Sequence, residues 1–144
     1  RERFRGYKQA LLDAGIPVVE ELIAGDDSDS VQWTLDGYNA INCLFSQNIE
    51  FDAVFATTDL RAIGAIRAIK DHGYKVPEDI SVIGFDNLEF SSLIDPPLST
   101  VSQPLYDIGM RAVNKLIPLI DNKTVTEPTI EIMLSELIIR KSTK

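Results

Sequence analysis

Residues 51–87, FDAVFATTDLRAIGAIRAIKDHGYKVPEDISVIGFDN, decide the fold. Ala53-Val54-Phe55-Ala56 is an apolar run too short for a helix, and it stops at Thr57-Thr58-Asp59. Short side-chain oxygens of that kind cap a following helix by accepting from the free N–H groups of its first turn. From Leu60 to His72, Ala62, Ala65, Ile66 and Ile69 share one face at helical spacing, while Arg67 and Asp71 lie elsewhere. Gly73 is placed to end this helix in a left-handed conformation, and Pro77 prevents its resumption. Ile80-Ser81-Val82-Ile83-Gly84-Phe85 then reads as a second buried strand, closed by Asp86-Asn87. Two apolar strands joined by a helix require a right-handed parallel crossover, a βαβ unit.

Polar residues gather where each strand ends. Open parallel sheets bind ligands outside the carboxyl ends of their strands, where loops and helix N-termini converge. Thr58-Asp59 and Asp86-Asn87 lie side by side there if the two strands are neighbours. A carboxylate at that rim can accept hydrogen bonds from ligand hydroxyls or amines. On the residues alone the plainer reading weighs more, with Asp59 a helix cap and Asp86 a turn residue, because caps outnumber ligand contacts.

Outward from this unit, Arg1 to Ala14 is amphipathic, with Phe4, Tyr7, Leu11 and Ala14 on one face, Gly15 as terminator and Pro17 beyond. Val18 to Ala24 is a candidate strand leading into the polar loop Gly25 to Ser30. Val31 to Gln47 carries Leu35, Tyr38, Ile41, Leu44 and Phe45 on one helical face. Leu88 to Ile94 reads as a short helix stopped by Pro96-Pro97, and Leu98 to Ser102 as extended. Pro104 suits the first position of a helix bearing Leu105, Ile108, Ala112, Leu116 and Leu119, which Pro118 must kink or end. Ile130, Ile132 and Leu134 alternate with Glu131 and Met133 as in a strand, but beyond Ser135 the apolar phase moves to Leu137 and Ile139. Such a slip transfers the buried set to the other face, so either a bulge lies near Ser135 or the strand changes sheets there.

At 144 residues, 44% hydrophobic and 25% charged, the chain suits one domain of ordinary size with a real core. Its formal charge of −8 argues against this part contacting nucleic acid by itself, since phosphate binding needs a basic surface. The single Cys43 forms no internal disulfide, and no apolar run approaches the ~20 residues of a membrane span. The chain opens in charged RERFRGY, in mid-element, which is the pattern of a fragment. It has no G-x-S-x-G elbow, no metal-spaced His/Cys set and no glycine-rich phosphate loop. Neither an enzyme nor a cofactor is expected.

RFRGYKQAL, the GD of the next loop, the 51–87 block, PPLSTVSQP and ELIIRKST together closely resemble the lactose/galactose-repressor (LacI/GalR) family of bacterial transcription regulators. The resemblance runs along essentially the whole chain, and VPEDISVIGFD followed by PPLSTVSQP carries most of its specificity. It implies an α/β fold, a parallel-sheet three-layer sandwich forming one lobe of a type I periplasmic-binding-protein-like domain. Residues 1–102 would form the C-terminal lobe, 103–134 a helix and strand of the absent N-terminal lobe, and 135–144 the return. The lobe crossings would fall near Ser102-Gln103 and Ser135. The helix-turn-helix head would lie in the part not present.

The resemblance also implies effector contacts. Arg3 matches an arginine that grips ligand hydroxyls or carboxylates, a task suited to a fork of paired donors. Asp86 matches the acidic residue closing the strand, with Asp59 beside it, and Gln103 a polar residue at the hinge. Thr58 stands where the family usually has Asn, so a hydroxyl replaces an amide. Asp27 stands where an aromatic often packs on the ligand ring, and the loop from Asp27 to Gly37 is about one helical turn longer than usual. Trp33, in that insertion, either restores a stacking surface or, the plainer alternative, covers the core beside Leu44. Leu60, Ile63 and Arg67, with Phe90, Leu93 and Ile94, form a second edge, read as a homodimer interface or as a wider core. His72 is expected to be solvated or capping rather than catalytic.

The expected function is a cytoplasmic, ligand-gated switch. A sugar-like or related polar effector bridges two lobes, and its differential affinity shifts operator binding by a homodimer through the head. The alternative is a periplasmic-type sugar-binding protein for transport or sensing, with the same cleft and no head. ELIIRKST and the single thiol favour the regulator.

Overall fold

The computed structural model describes residues 2–25, 32–120 and 130–144. Asp27, most of its polar loop and Thr129 lie outside the described residues. The first element is α1 (Glu2–Asp13), ended by Gly15 at φ 71°. After it come α2 (Trp33–Ser46), β1 (Ala53–Phe55), α3 (Asp59–Asp71), β2 (Ser81–Phe85) and β3 (Ser99–Ser102). The chain closes with α4 (Leu105–Ile120) and β4 (Glu136–Ile138).

The central unit has the expected form. β1 and β2 are parallel neighbours, with Phe55 opposite Ile83, and α3 connects them. Thr58 is the N-cap of α3, its hydroxyl accepting from the Arg61 N–H at 3.2 Å. Gly73 follows the helix at φ 84°, as its position demanded. β3 adds parallel to β2 and β4 antiparallel to β3, giving the order β1-β2-β3-β4 among the described residues.

Alternation fixes which face each strand residue serves. Val82 and Gly84 of β2 are buried towards α3, and Ala62, Ala65, Ile66 and Ile69 of α3 meet them as the periodicity predicts. Ile41 and Leu44 of α2 complete this core. α2 crosses α3 closely because Gly37 lies against the Arg61 backbone and Gly64 against the Thr34 and Tyr38 backbone. A Cβ at either glycine would overlap main chain. On the opposite sheet face α1 lies near the strand ends, its Tyr7 stacked on Phe55 with ring centroids 6.0 Å apart. The result is three layers.

Three local expectations need correction. Val18 to Ala24 forms no strand; it contains a 3-10 turn, Glu20–Leu22, and it is largely exposed. A strand needs a neighbour for its backbone donors, and this segment pairs with none of the described strands. Leu35 is 48% exposed because Gly37, not Leu35, faces the α3 crossing. The short helix expected between Leu88 and Ile94 is present as a 3-10 helix, Glu89–Ser92. Of the two alternatives for Pro118, a kink or an end, the end is excluded, since α4 continues past it to Ile120. Residues 130–135 pair with no described strand, and β4 starts directly after Ser135, so there is no bulge within one continuous strand.

α4 buries none of its residues: Leu105, Leu116 and Leu119 are half or more exposed. Ile130, Ile132 and Leu134 are more open still, at 93%, 87% and 89%. Arg111 and Lys115 of α4 both lie 3.7 Å from Glu131, so these two stretches run together.

Candidate functional site

β2 ends in an unusual turn. Asp86 has φ 115° and Asn87 φ 53°, both in the region that L side chains rarely adopt. The turn lifts the Asp86 carboxyl to the rim of the sheet, where Oδ1 accepts from Arg3 Nη2 at 2.9 Å and from Gln103 Nε2 at 2.9 Å. Arg3 comes from the first turn of α1, and its Nη1 also donates to the Thr57 carbonyl. Its guanidinium lies over the Phe85 ring, 4.0 Å from the centroid, a cation–π contact that holds the group against the last residue of β2. Arg3, Asp86 and Gln103, expected to share a site, meet at one carboxyl oxygen.

Thr58 stands beside this node, since β1 and β2 end together. Asp59, expected among the ligand contacts, is placed differently. It is fully buried, and its carboxyl accepts from the Leu88 N–H at 2.8 Å, the Ser91 hydroxyl at 2.6 Å and the Thr100 hydroxyl at 2.5 Å. Gly84 beneath it leaves the space, because a Cβ there would strike the Asp59 carboxyl and the Leu98 side chain. Asp59 ties α3 to the turn after β2 and to β3, and both its oxygens are committed to protein donors.

An open depression wraps the β1 edge between α1 and α2, lined at the strand ends by Arg3, Tyr7, Trp33, Phe55, Thr58 and Arg61. Asp86 and Gln103 lie just past its wall, reached through Arg3. Trp33 begins α2 and is 45% exposed. Leu44, the core residue it could have covered, lies eleven residues further along the helix, about 16 Å away.

The expected dimer edge is graded. Leu60 and Ile63 are half-buried, Ile94 packs on the core, and Phe90 and Leu93 are exposed at 38% and 78%. Arg67 is exposed and holds Asp71 through two bonds, 2.8 and 3.0 Å, while the Tyr38 hydroxyl adds a third at 3.1 Å. The Arg67 hydrogen bond above all keeps the Asp71 carboxyl below the usual carboxylate range. His72 is the C-cap of α3, with Nδ1 2.9 Å from the Ala68 carbonyl and its ring stacked on Phe45.

Sequence reading overlooked two residues near the rim. Arg61 donates to the Thr57 hydroxyl at 3.0 Å and lies 3.7 Å from Asp36; its position four residues after Thr57 on a helix was the available signal. Arg140 donates to the Asn87 side-chain oxygen at 2.7 Å and to the Leu98 carbonyl at 2.7 Å. No local pattern announces a contact between residues so far apart.

Among the described residues no group of acidic, His and Cys side chains could hold a metal ion, and no helix is long and apolar enough to cross a membrane. Residues 1–143 match the family model of the periplasmic binding protein-like domain. The HTH-type transcriptional repressor PurR of Mannheimia succiniciproducens is 38% identical over 144 residues, which is 100% of this chain and 42% of the relative. A transcriptional regulator CelR–cellobiose complex superposes with a TM-score of 0.87 at 34% identity, over 98% of this chain and 42% of the other. The lac repressor dimer bound to operator and the anti-inducer ONPF gives 0.81 at 30% identity, over 98% and 46%. The chain thus spans less than half the length of each of these three relatives. With this fold, this order of motifs and these relatives, it belongs to the periplasmic binding protein-like domain family, within the lactose/galactose-repressor group of transcription regulators.

Proposed function

We propose that this chain is the effector-binding and dimerisation part of a bacterial transcription regulator that contacts operator DNA through another part of its polypeptide. The observation that carries the reading is the convergence of Arg3, Gln103 and Asp86 on the carboxyl rim of a parallel sheet. Among the described residues Asp86 Oδ2 accepts no hydrogen bond, which leaves one acceptor for a ligand hydroxyl or amine. Arg3 and Gln103 hold that carboxyl in place before any ligand arrives, so little ordering cost is left for binding. Thr58 adds a hydroxyl, Trp33 a ring face for stacking, and Asp27 a further polar contact. The effector is a sugar or related polar metabolite. Asp59 serves as the internal strut of the rim.

Residues 103–134 belong in this reading to a companion lobe. Its support is the exposed apolar face of α4 and the fully open Ile130, Ile132 and Leu134, which need a cover. Leu60, Ile63, Arg67, Phe90, Leu93 and Ile94 form the homodimer edge, and the protein works in the cytoplasm. The named relatives are regulators, which favours this reading over a transport binding protein.

The test is a thermal-unfolding screen of the complete polypeptide against sugars, sugar phosphates and nucleobases. A ligand present at about a hundred times its Kd adds about 2.7 kcal/mol to stability. A stabilising compound whose effect vanishes in Asp86→Ala supports the assignment. A compound that stabilises wild type and Asp86→Ala equally overturns it.

A further inference from the structure

The Asp86–Asn87 turn is held by contacts rather than by glycine. Both residues have positive φ, where an L side chain is strained, so something must stabilise the conformation. The Asp86 N–H donates to the Val101 carbonyl at 2.9 Å, and the Asn87 N–H to the Thr100 hydroxyl at 3.3 Å. The Asn87 side chain then works in both directions. Its amide nitrogen donates to the Ser102 hydroxyl at 3.2 Å, and its oxygen accepts from Arg140 Nη2 at 2.7 Å. Because a guanidinium can only donate, Arg140 forces the oxygen of that amide towards itself and the NH2 towards Ser102.

Arg140 is itself firmly seated. Its Nη1 donates to the Leu98 carbonyl at 2.7 Å and its N–H to the Ser99 hydroxyl at 2.8 Å. Two residues on, the buried Ser142 hydroxyl donates to the Val82 carbonyl at 2.6 Å and accepts from the Ser99 N–H at 2.7 Å. The turn is thus gripped from the carboxyl end of β3 and, through the long Arg140 side chain, from the residues that follow β4 beside the start of β3. Ser102, the last residue of β3, and Gln103 after it reach Asn87 and Asp86, while Arg140 lies two residues past the end of β4, its N–H on Ser99.

We propose that Asn87 and Arg140 are positioning residues for the effector: their contact locks the strained turn that presents Asp86, and couples it to β3 and to the segment after β4. This rests on the reading of Asp86 as an effector contact. Neither residue touches the ligand. A shift of β3 against β4 moves Ser102 relative to Arg140, and the Asn87 amide between them carries that shift to the carboxyl.

The test uses the complete polypeptide with Arg140→Gln, Arg140→Lys and Asn87→Gly. Glycine accepts φ 53° without strain, so Asn87→Gly removes the side-chain contacts while leaving the backbone conformation open. Hydrogen exchange is read at the Asp86 and Asn87 amides, with the Ala56 amide, bonded to the Ile83 carbonyl, as control. Arg140→Gln and Asn87→Gly are expected to speed exchange at the turn about tenfold or more with the control unchanged, and Arg140→Lys by less. Cellobiose, galactose and adenosine are titrated into each variant by calorimetry. A probe that binds wild type is expected to bind Arg140→Gln and Asn87→Gly about tenfold more weakly, at an unfolding midpoint close to wild type. Unchanged exchange at the turn overturns the lock. Faster exchange with undiminished probe affinity overturns the positioning role. If none of the three probes binds wild type, that counts against the effector reading, and the exchange measurement alone decides the lock.

Discussion

Arg3 Nη2 lies 2.9 Å from Asp86 Oδ1 although 83 residues separate them in the chain. The pair joins the first turn of α1 to the end of β2, at the rim proposed as the ligand site. Both side chains keep part of their exposure, 33% and 22%, so the bond itself adds under about 1 kcal/mol to folding stability. Its larger consequence is for binding. Asp86→Ala is expected to weaken the effector by about 1.5–3 kcal/mol, roughly ten- to a hundredfold, with a small change in unfolding midpoint. Calorimetric titration beside a melting curve checks both halves; a large loss of stability with intact affinity contradicts the assignment.

Asp59 predicts the opposite pattern. It is fully buried, and three protein donors depend on its carboxyl. Asp59→Ala leaves the Leu88 N–H and the Ser91 and Thr100 hydroxyls without that acceptor, at about 1–3 kcal/mol for each group that stays dry. An unfolding free energy lowered by several kcal/mol, read from the shift of the denaturant midpoint, is expected. A variant as stable as wild type would show that water replaces the carboxyl.

Gly84 and Gly64 are tight for different reasons. At Gly84 a methyl meets a side chain held by three bonds, and at Gly64 it meets the α2 backbone. Gly84→Ala is expected to cost about 1–3 kcal/mol through displacement of Asp59, and Gly64→Ala at least as much, because two helices must part. Urea unfolding of both variants orders the two effects.

The Arg67–Asp71 pair gives a pH signature. The folded Asp71 carboxyl titrates below its ordinary range, chiefly through the Arg67 hydrogen bond. The bond therefore stabilises the fold above the unfolded carboxylate pKa, and that stabilisation is lost as pH falls through the lower folded value. Asp71→Asn removes it. The stability difference between wild type and Asp71→Asn is expected to be constant near neutrality and to disappear in acid; a gap that widens on acidification would reverse the sign.

Leu93 is 78% exposed beside Phe90 on the edge read as a homodimer interface. Leu93→Asp places a charge where an apolar contact is expected, and should raise the dimer dissociation constant of the complete polypeptide about tenfold or more. Sedimentation at several concentrations reads this. Unaltered dimerisation would move the interface elsewhere.

The βαβ unit, its Thr58 cap, its Gly73 terminator and the buried stripe of α3 were all legible in residues 51–87, because each depends on interactions within a few residues. The family pattern added Arg3, Asp86 and Gln103, and the tertiary structure joined them at one oxygen. Folding alone decided three further things. Val18 to Ala24 lacks a strand because pairing depends on a neighbour that no periodicity supplies. Asp59 turned inwards because hydroxyls from Ser91 and Thr100, 32 and 41 residues away, were brought to its carboxyl. Arg140 found Asn87 across 53 residues, a contact set by strand order rather than by spacing. Local sequence chooses the elements, but long-range hydrogen bonds form only after burial has brought their partners together.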